Sequence, residues 1–273
     1  MLSCHQIDDI VKMKRNKMKK IVALVAVLFS VVAPGQSQAA DQKAVVIIDS
    51  YFDSRVAGPN VTCITLQEKP CTDLVKVFPA SLSDNLNHGN VMVEIAKKQN
   101  PNIKIIAIRS APSPTSDVNA SGFISALTWV SKNTAQVSAV SFSRYFNHAT
   151  KPCMPAPAAP YTPDTANNTI NQLINSLNAS GIKVFAATGN KIGKAVDYPA
   201  CLTNTDSVAV GGQKLDGTYA GIYQHDSNTD YFVSQSYTTK FGPVANLTSP
   251  ATAAVAATYV TKGLSTKVVS VLP

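Results

Sequence analysis

Residues 44–49 read AVVIID, and residues 50–53 continue SYFD. Five apolar residues, four of them β-branched or isoleucine-like, end abruptly in a carboxylate. A run this short, apolar on both alternating faces, is a buried strand rather than an amphipathic helix. A fully buried strand needs cover on both faces, so this one line already calls for helices above and below a sheet. Asp49 then sits at the carboxyl end of that strand, where open parallel sheets gather their reactive groups.

The chain outward from Asp49 repeats the pattern. Ile103–Ile108, Val137–Phe142, Ile182–Ala187 and Ser207–Val210 read as further strands. Helices are expected over Val91–Lys98, Gly122–Lys132 with Ser121 as N-cap, Asp164–Asn178, and the Ala-rich Thr252–Thr261. Strand and helix alternating in this order give an α/β fold with a mostly parallel sheet flanked by helices. Cys63–Asp84 and Lys151–Pro163 are expected as surface loops. No repeat or linker marks a second domain.

Composition permits such a core: 45% of the 273 residues are hydrophobic and 15% charged. The net charge of +8 is split evenly. Residues 1–40 carry six Lys/Arg against two Asp/Glu, so residues 41–273 are only mildly basic. Their basic residues are scattered, which excludes a phosphate-tracking stripe, and no nucleic-acid partner is expected.

The basic patch at Lys12–Lys20 precedes IVALVAVLFSVVA, residues 21–33, then Pro34-Gly35 and the small residues of Ser37-Gln38-Ala39. This is the pattern of a secretory signal peptide over 1–39, cleaved after Ala39, with translation starting at Met13 or Met18 as an option. The apolar run is too short for a spanning helix, so no membrane anchor is expected after cleavage. Residues 40–273 form the folded domain, a secreted or periplasmic monomer.

Cys63, Cys71, Cys153 and Cys201 remain beyond the signal. An even count in an exported chain points to disulfides. Three pairings are possible. Cys63 with Cys71 closes a short loop across Thr65–Pro70 and leaves Cys153 with Cys201. No CxxC or nearby His favours a metal instead.

Four residues carry candidate chemistry. Asp49 can orient a histidine. His88, in NHGNVMVEIA just ahead of a helix, has the ring whose proton affinity suits a general base near neutral pH. Ser249, in LTSPATAAVAA, opens the Ala-rich helix, where the dipole and free N–H groups favour a developing oxyanion. Asn190, in VFAATGN, adds a side-chain amide after a strand. No G-x-S-x-G elbow is present, which excludes an α/β-hydrolase esterase.

Taken together, VVIIDS, HGNVMVEIA, VSAVSFS, VFAATGN, DYPACLTNTDSVAVGG and LTSPATAAVAA resemble, in order, the motifs of the subtilisin family of serine peptidases. The resemblance runs from about Lys43 to the end of the chain. It implies a three-layer subtilisin-like fold and a secreted endopeptidase acting through an acyl-enzyme on peptide or protein substrates. The implied triad is Asp49, His88 and Ser249, with Asn190 as oxyanion donor. Ser141, Ser143, Tyr145, Ala187 and Gly189 would line the substrate strand and pocket. Secreted bacterial relatives pair a Cys after the substrate strand with one in the YPA turn, which implies Cys153–Cys201. No cofactor is required, and structural calcium is left open. Departures from the motifs are Tyr51 and Leu247 in place of Gly, Pro250 displaced from the motif position, and Tyr145-Phe146 after Ser143 where a Gly pair is usual. They motivate the alternative of an inactive, peptide-binding member. An acid-active relative using Glu is disfavoured by His88-Gly89.

Overall fold

The computed structural model of the chain describes residues 43–56, 58–71, 85–111, 116–144, 165–213, 219–221, 223–226, 229–233, 236–244 and 247–264. The signal peptide expected over 1–39, Cys153, Tyr145 and Phe146 lie outside them. The strands are β1 Ala44–Asp49, β2 Val61–Thr65, β3 Ile105–Arg109, β4 Val137–Phe142, β5 Lys183–Ala187, β6 Asp206–Gln213, β7 Tyr219–Gly221, β8 Tyr231–Val233, β9 Tyr237–Thr239 and β10 Gly242–Val244. Helices α1 Asn85–Gln99, α2 Ala120–Lys132, α3 Thr165–Ala179 and α4 Thr248–Lys262 connect or cover them.

The main sheet runs β2-β3-β1-β4-β5-β6-β7, with β8 also paired to β6. Every pairing from β2 to β6 is parallel, as is β6 with β8; β7 joins β6 antiparallel. β1 is central, and its six residues are all buried. From β1 the chain goes to the edge strand β2, returns inward through β3 and then crosses to β4 on the other side, so the order reverses between β1 and β4. That is the switch point where a crevice opens beyond the strand ends. In the β1–β4 register Ile48 faces Phe142, which brings Asp49 beside the residues just after β4.

Alternation along β1 sorts the core into two layers. Val45 and Ile47 pack with Val91, Met92 and Ile95 of α1 and with the alanines of α4. Ala44, Val46 and Ile48 pack with Phe123, Leu127 and Val130 of α2 and with Ile170, Ile174 and Leu177 of α3. The result is the expected three layers: α1 and α4, sheet, α2 and α3. Helix α4 is buried continuously from Thr248 to Ala257, and its small side chains suit a helix lying close against the sheet.

Four sequence expectations are corrected. Cys63–Thr65, expected to open the surface loop Cys63–Asp84, belong instead to a strand: β2 pairs in parallel with β3 through Val61–Thr65. Helix α1 starts at Asn85, so His88 lies within its first turn rather than before it. The N-cap of α2 is Asn119, whose side chain accepts from Gly122 N, rather than Ser121. Helix α4 starts at Thr248, four residues ahead of the expected Thr252, so Ser249 is its second residue. Cys63 and Cys71 form a disulfide with Cα atoms 5.4 Å apart. Cys201 is also disulfide-bonded; Cys153, its expected partner, lies outside the described residues.

Gly89 shows how tightly α1 seats. A Cβ there would lie 2.4 Å from the Tyr51 carbonyl oxygen and 2.8 Å from the Phe52 ring. Neither the backbone nor the fully buried Phe52 can yield cheaply. Gly89→Ala is therefore expected to destabilise the fold by about 1–3 kcal/mol, despite alanine's better helix propensity. Urea denaturation of the two proteins measures it; an unchanged or raised midpoint would contradict the packing described.

Candidate active site

The end of β1 delivers Asp49 with no solvent exposure at all. A carboxylate buried this way needs hydrogen bonds and compensating charge, and it has both. Its Oδ2 lies 2.6 Å from His88 Nδ1. Its Oδ1 accepts from Ser50 N at 2.7 Å and from Arg144 Nε at 3.1 Å. Burial pushes the Asp49 carboxyl up, but the charges of His88 and Arg144 and the His88 and Ser50 hydrogen bonds outweigh it. The group ends held down at about 2, from a usual 3.8.

His88 is carried by the first turn of α1. The helix is fixed from below by Gly89 against Tyr51 and Phe52, and by Asn90, whose Oδ1 accepts from Asp53 N. Tyr51, where the motif has Gly, is accommodated because the Arg109 guanidinium lies 3.8 Å from its ring centroid. Arg109 also donates to the Phe52 carbonyl at 3.2 Å.

Ser249 is the second residue of α4 and 8% exposed. Its Oγ donates to the Ser143 carbonyl at 2.9 Å, and Ser143 Oγ donates back to the Ser249 carbonyl at 3.1 Å. No hydrogen bond joins Ser249 to His88 among the described residues. The α4 N-terminus has Leu247 at the cap position, which offers no side-chain acceptor. Asn190 takes over that task from another segment: its Oδ1 accepts from Thr248 N and from Thr248 Oγ1, each at 2.9 Å. With Oδ1 committed to two donors, the amide Nδ2 faces the other way.

These residues meet in one cleft of about 480 Å³. His88, Ser143, Arg144, Asn190, Thr248 and Ser249 line it, and Val91, Met92, Val244 and Leu247 add apolar surface. Of the residues expected at the substrate strand and pocket, Ser143, Ala187 and Gly189 line it too. Ser141 does not; it is fully buried in β4. Tyr145 lies outside the described residues.

Three lining or supporting residues escaped the sequence reading. Arg144 follows Ser143 directly, yet nothing local tells that its side chain turns back onto Asp49. Asp197, beside the cis Tyr198-Pro199 bond, lines the cleft with its carboxyl pushed up by burial, against a hydrogen bond from Gln224 and the charge of Lys191. Gln224 is 1% exposed; its Oε1 accepts from Lys191 N at 3.0 Å and its Nε2 donates to the Ala195 carbonyl. Gly189 makes room for this pair. At φ 108° a Cβ there would fall 2.1 Å from Gln224 Oε1 and 2.4 Å from Asp197 Oδ2. Among the described residues no group of three His, Cys, Asp or Glu is placed to hold a metal ion.

No family model matches the sequence, and no curated protein matches it either. Solved structures do match the fold. The epidermin leader peptide processing serine protease of Staphylococcus aureus superposes with TM-score 0.56 at 14% identity, covering 81% of this chain and 65% of that one. A psychrophilic protease gives TM-score 0.52 at 14% identity, with 83% of this chain and 80% of that one covered. Sphericase gives 0.51 at 14% identity over the same shares, 83% and 80%. The chain therefore has a subtilisin-like fold, and its structural neighbours are proteases.

The Asp49 environment has a measurable consequence. Its folded carboxyl titrates at about 2, below the 3.8 of an unfolded chain. The stability this contributes is fully present above pH 4 and drains away as pH falls through about 2. The shift corresponds to a contribution on the order of 2 kcal/mol. Asp49→Asn should lose that amount above pH 4, and its gap from wild type should narrow between about pH 4 and pH 2. Urea midpoints of both proteins across pH 2–6 test this; a gap independent of pH would refute it.

Proposed function

We propose that the protein is a serine endopeptidase that cleaves peptide bonds through an acyl-enzyme, with Asp49, His88 and Ser249 as its triad. The observation carrying this reading is the buried Asp49–His88 pair, 2.6 Å between Oδ2 and Nδ1, opening on the same cleft as Ser249. The protease neighbours of the fold support it at a coarser level.

The chemistry follows from the residues. Asp49 accepts a hydrogen bond from the Nδ1–H of His88, which holds the ring in the tautomer that leaves Nε2 as the proton acceptor. Ser249 Oγ passes its proton to that nitrogen as it attacks the substrate carbonyl. The carbonyl oxygen takes up negative charge beside the α4 N-terminus. There the Ser249 N–H and the Asn190 Nδ2 are donors without another hydrogen bond among the described residues. His88 returns the proton to the leaving amine, and water then hydrolyses the acyl-enzyme by the same steps. The mutual hydrogen bonds of Ser143 and Ser249 tie the nucleophile to the segment after β4, the strand against which an extended peptide would lie.

Residues 1–39 are read as a signal for export and residues 40–273 as one peptidase domain, working as a monomer in the periplasm or outside the cell. The Cys63–Cys71 bond suits an oxidising compartment. Among the described residues no helix is long and apolar enough to cross a membrane.

A second reading is a peptide-binding relative without catalysis. One observation favours it: the Ser249 hydroxyl is bonded to Ser143 and not to His88. Labelling with a fluorophosphonate separates the two readings, because only an activated serine reacts.

Purified chain lacking residues 1–39 should hydrolyse unfolded casein and take up the label at Ser249. Ser249→Ala and His88→Ala should each fall to background, and the double variant should be little worse than either. Asn190→Ala should lose about 10²–10³ in kcat and retain labelling at a reduced rate. A chain that neither cleaves casein nor labels would sink the peptidase reading.

A further inference from the structure

Arg144 has no role in the chemistry above, yet it is bonded to the carboxylate on which that chemistry turns. Its Nε lies 3.1 Å from Asp49 Oδ1, while His88 holds Oδ2. The guanidinium is 15% exposed and is tethered on its outer side by Asp117 Oδ1 at 3.3 Å from Nη1. Backbone register explains the placement: Ile48 faces Phe142, so a long side chain two residues beyond Phe142 can turn back over Asp49.

We propose that Arg144 is a positioning residue of the site: it shares the Asp49 carboxylate with His88, fixes that carboxylate's orientation, and offsets part of the negative charge felt by the imidazole. The inference rests on the peptidase reading only for its catalytic consequence. An arginine stays charged throughout the working pH range, so the offset is permanent. A cation beside the carboxylate disfavours a second cation on the ring that shares it.

Other charges do not reproduce this effect. From β1 only Asp49 reaches the ring. Helix α1 has no acidic residue in its first turn, and its Glu94, Lys97 and Lys98 lie further along. Arg109, at the end of β3, is engaged with Tyr51 and the Phe52 carbonyl. Asp53 is paired with Arg55. Across the cleft, Lys191 and Asp197 act on each other. Arg144 is thus the cation bonded directly to the carboxylate that His88 uses.

The test is an NMR titration of histidine-labelled chain, residues 40–273, with the His88 signal assigned by its loss in His88→Gln. Wild type is compared with Arg144→Met, Arg144→Gln and Arg144→Lys. Both neutral variants should raise the His88 titration midpoint by about 0.5–1 pH unit, the size expected for one partly buried charge. Arg144→Lys should return it most of the way. In parallel, the acid limb of kcat/KM against pH should move up by the same amount. A midpoint that stays put or falls in a folded neutral variant overturns the proposal. So does an equal loss of activity at every pH with no movement of the limb, since that is what a merely structural role would give. Arg144→Gln retains a donor near Oδ1, so it remains the deciding variant if Arg144→Met fails to fold. The NMR result stands without catalysis. Absent casein hydrolysis in all proteins, wild type included, would remove the peptidase reading and leave the charge-sharing question answered.

Discussion

A carboxylate sealed at the end of the central strand sets the terms for everything around it. Asp49 has no contact with water, so its charge must be met by protein groups or be lost to protonation. The chain meets it from three separate places: the next residue's N–H, the first turn of α1, and the segment after β4. Each donor fixes an element. The His88 bond ties the first turn of α1 to the end of β1, and the Arg144 bond ties the residues just after β4 to it. The alternation of β1 then orders two core layers behind the same residue. Packing and chemistry are joined here, because the strand that is most buried is also the one that ends in the charge.

The second constraint is close approach. Helix α4 can lie on the sheet because its buried face is built from alanine, threonine and serine rather than leucine. Helix α1 can press on residues 51 and 52 because position 89 has no side chain. Both helices aim their N-terminal turns at the same cleft, one carrying His88 and the other Ser249. A helix start leaves N–H groups unpaired, and the α4 start is capped from outside by Asn190 because Leu247 cannot do it. One amide thus closes the helix with its oxygen while its residue lines the cleft. The loss of a local cap and the presence of a remote one are two sides of one arrangement.

This division explains what could be read in advance. β1, β3, β4, β5 and the core of each helix announce themselves through local apolar periodicity, and Asp49, His88, Ser249 and Asn190 through position at element ends. β2 was missed although VTCIT is rich in β-branched residues, because it is only partly buried at a sheet edge and its cysteine was read as the start of a disulfide-closed loop. The α2 cap fell on Asn119 rather than Ser121 because the helix begins earlier than its apolar stripe. Arg144, Asp197 and Gln224 carry no sequence signal at all. Their partners lie at the other side of the cleft or on the neighbouring strand, and only the register of β1 on β4 and the turn after β5 bring them together. Ser141 shows the converse, since its motif position suggested the cleft and strand alternation buried it.

The resting position of Ser249 bears on whether such a site is competent. Its hydroxyl points to the Ser143 carbonyl, and the proposed reaction requires it to point to His88. A neutral hydrogen bond is worth about 1 kcal/mol net, so turning the hydroxyl about its Cα–Cβ bond costs roughly a factor of five to ten in population. Removing a catalytic serine or histidine costs about a million-fold in a working triad. The off-line rotamer is therefore a small term against the quantity it would have to cancel, and nucleophile–base contacts are commonly loose before substrate binds. The larger requirement is already met without substrate: the imidazole is oriented by a buried carboxylate that does not have to move. What a bound peptide would add is a reason for the hydroxyl to leave, because a strand laid along the segment after β4 competes for the backbone groups that Ser249 now uses.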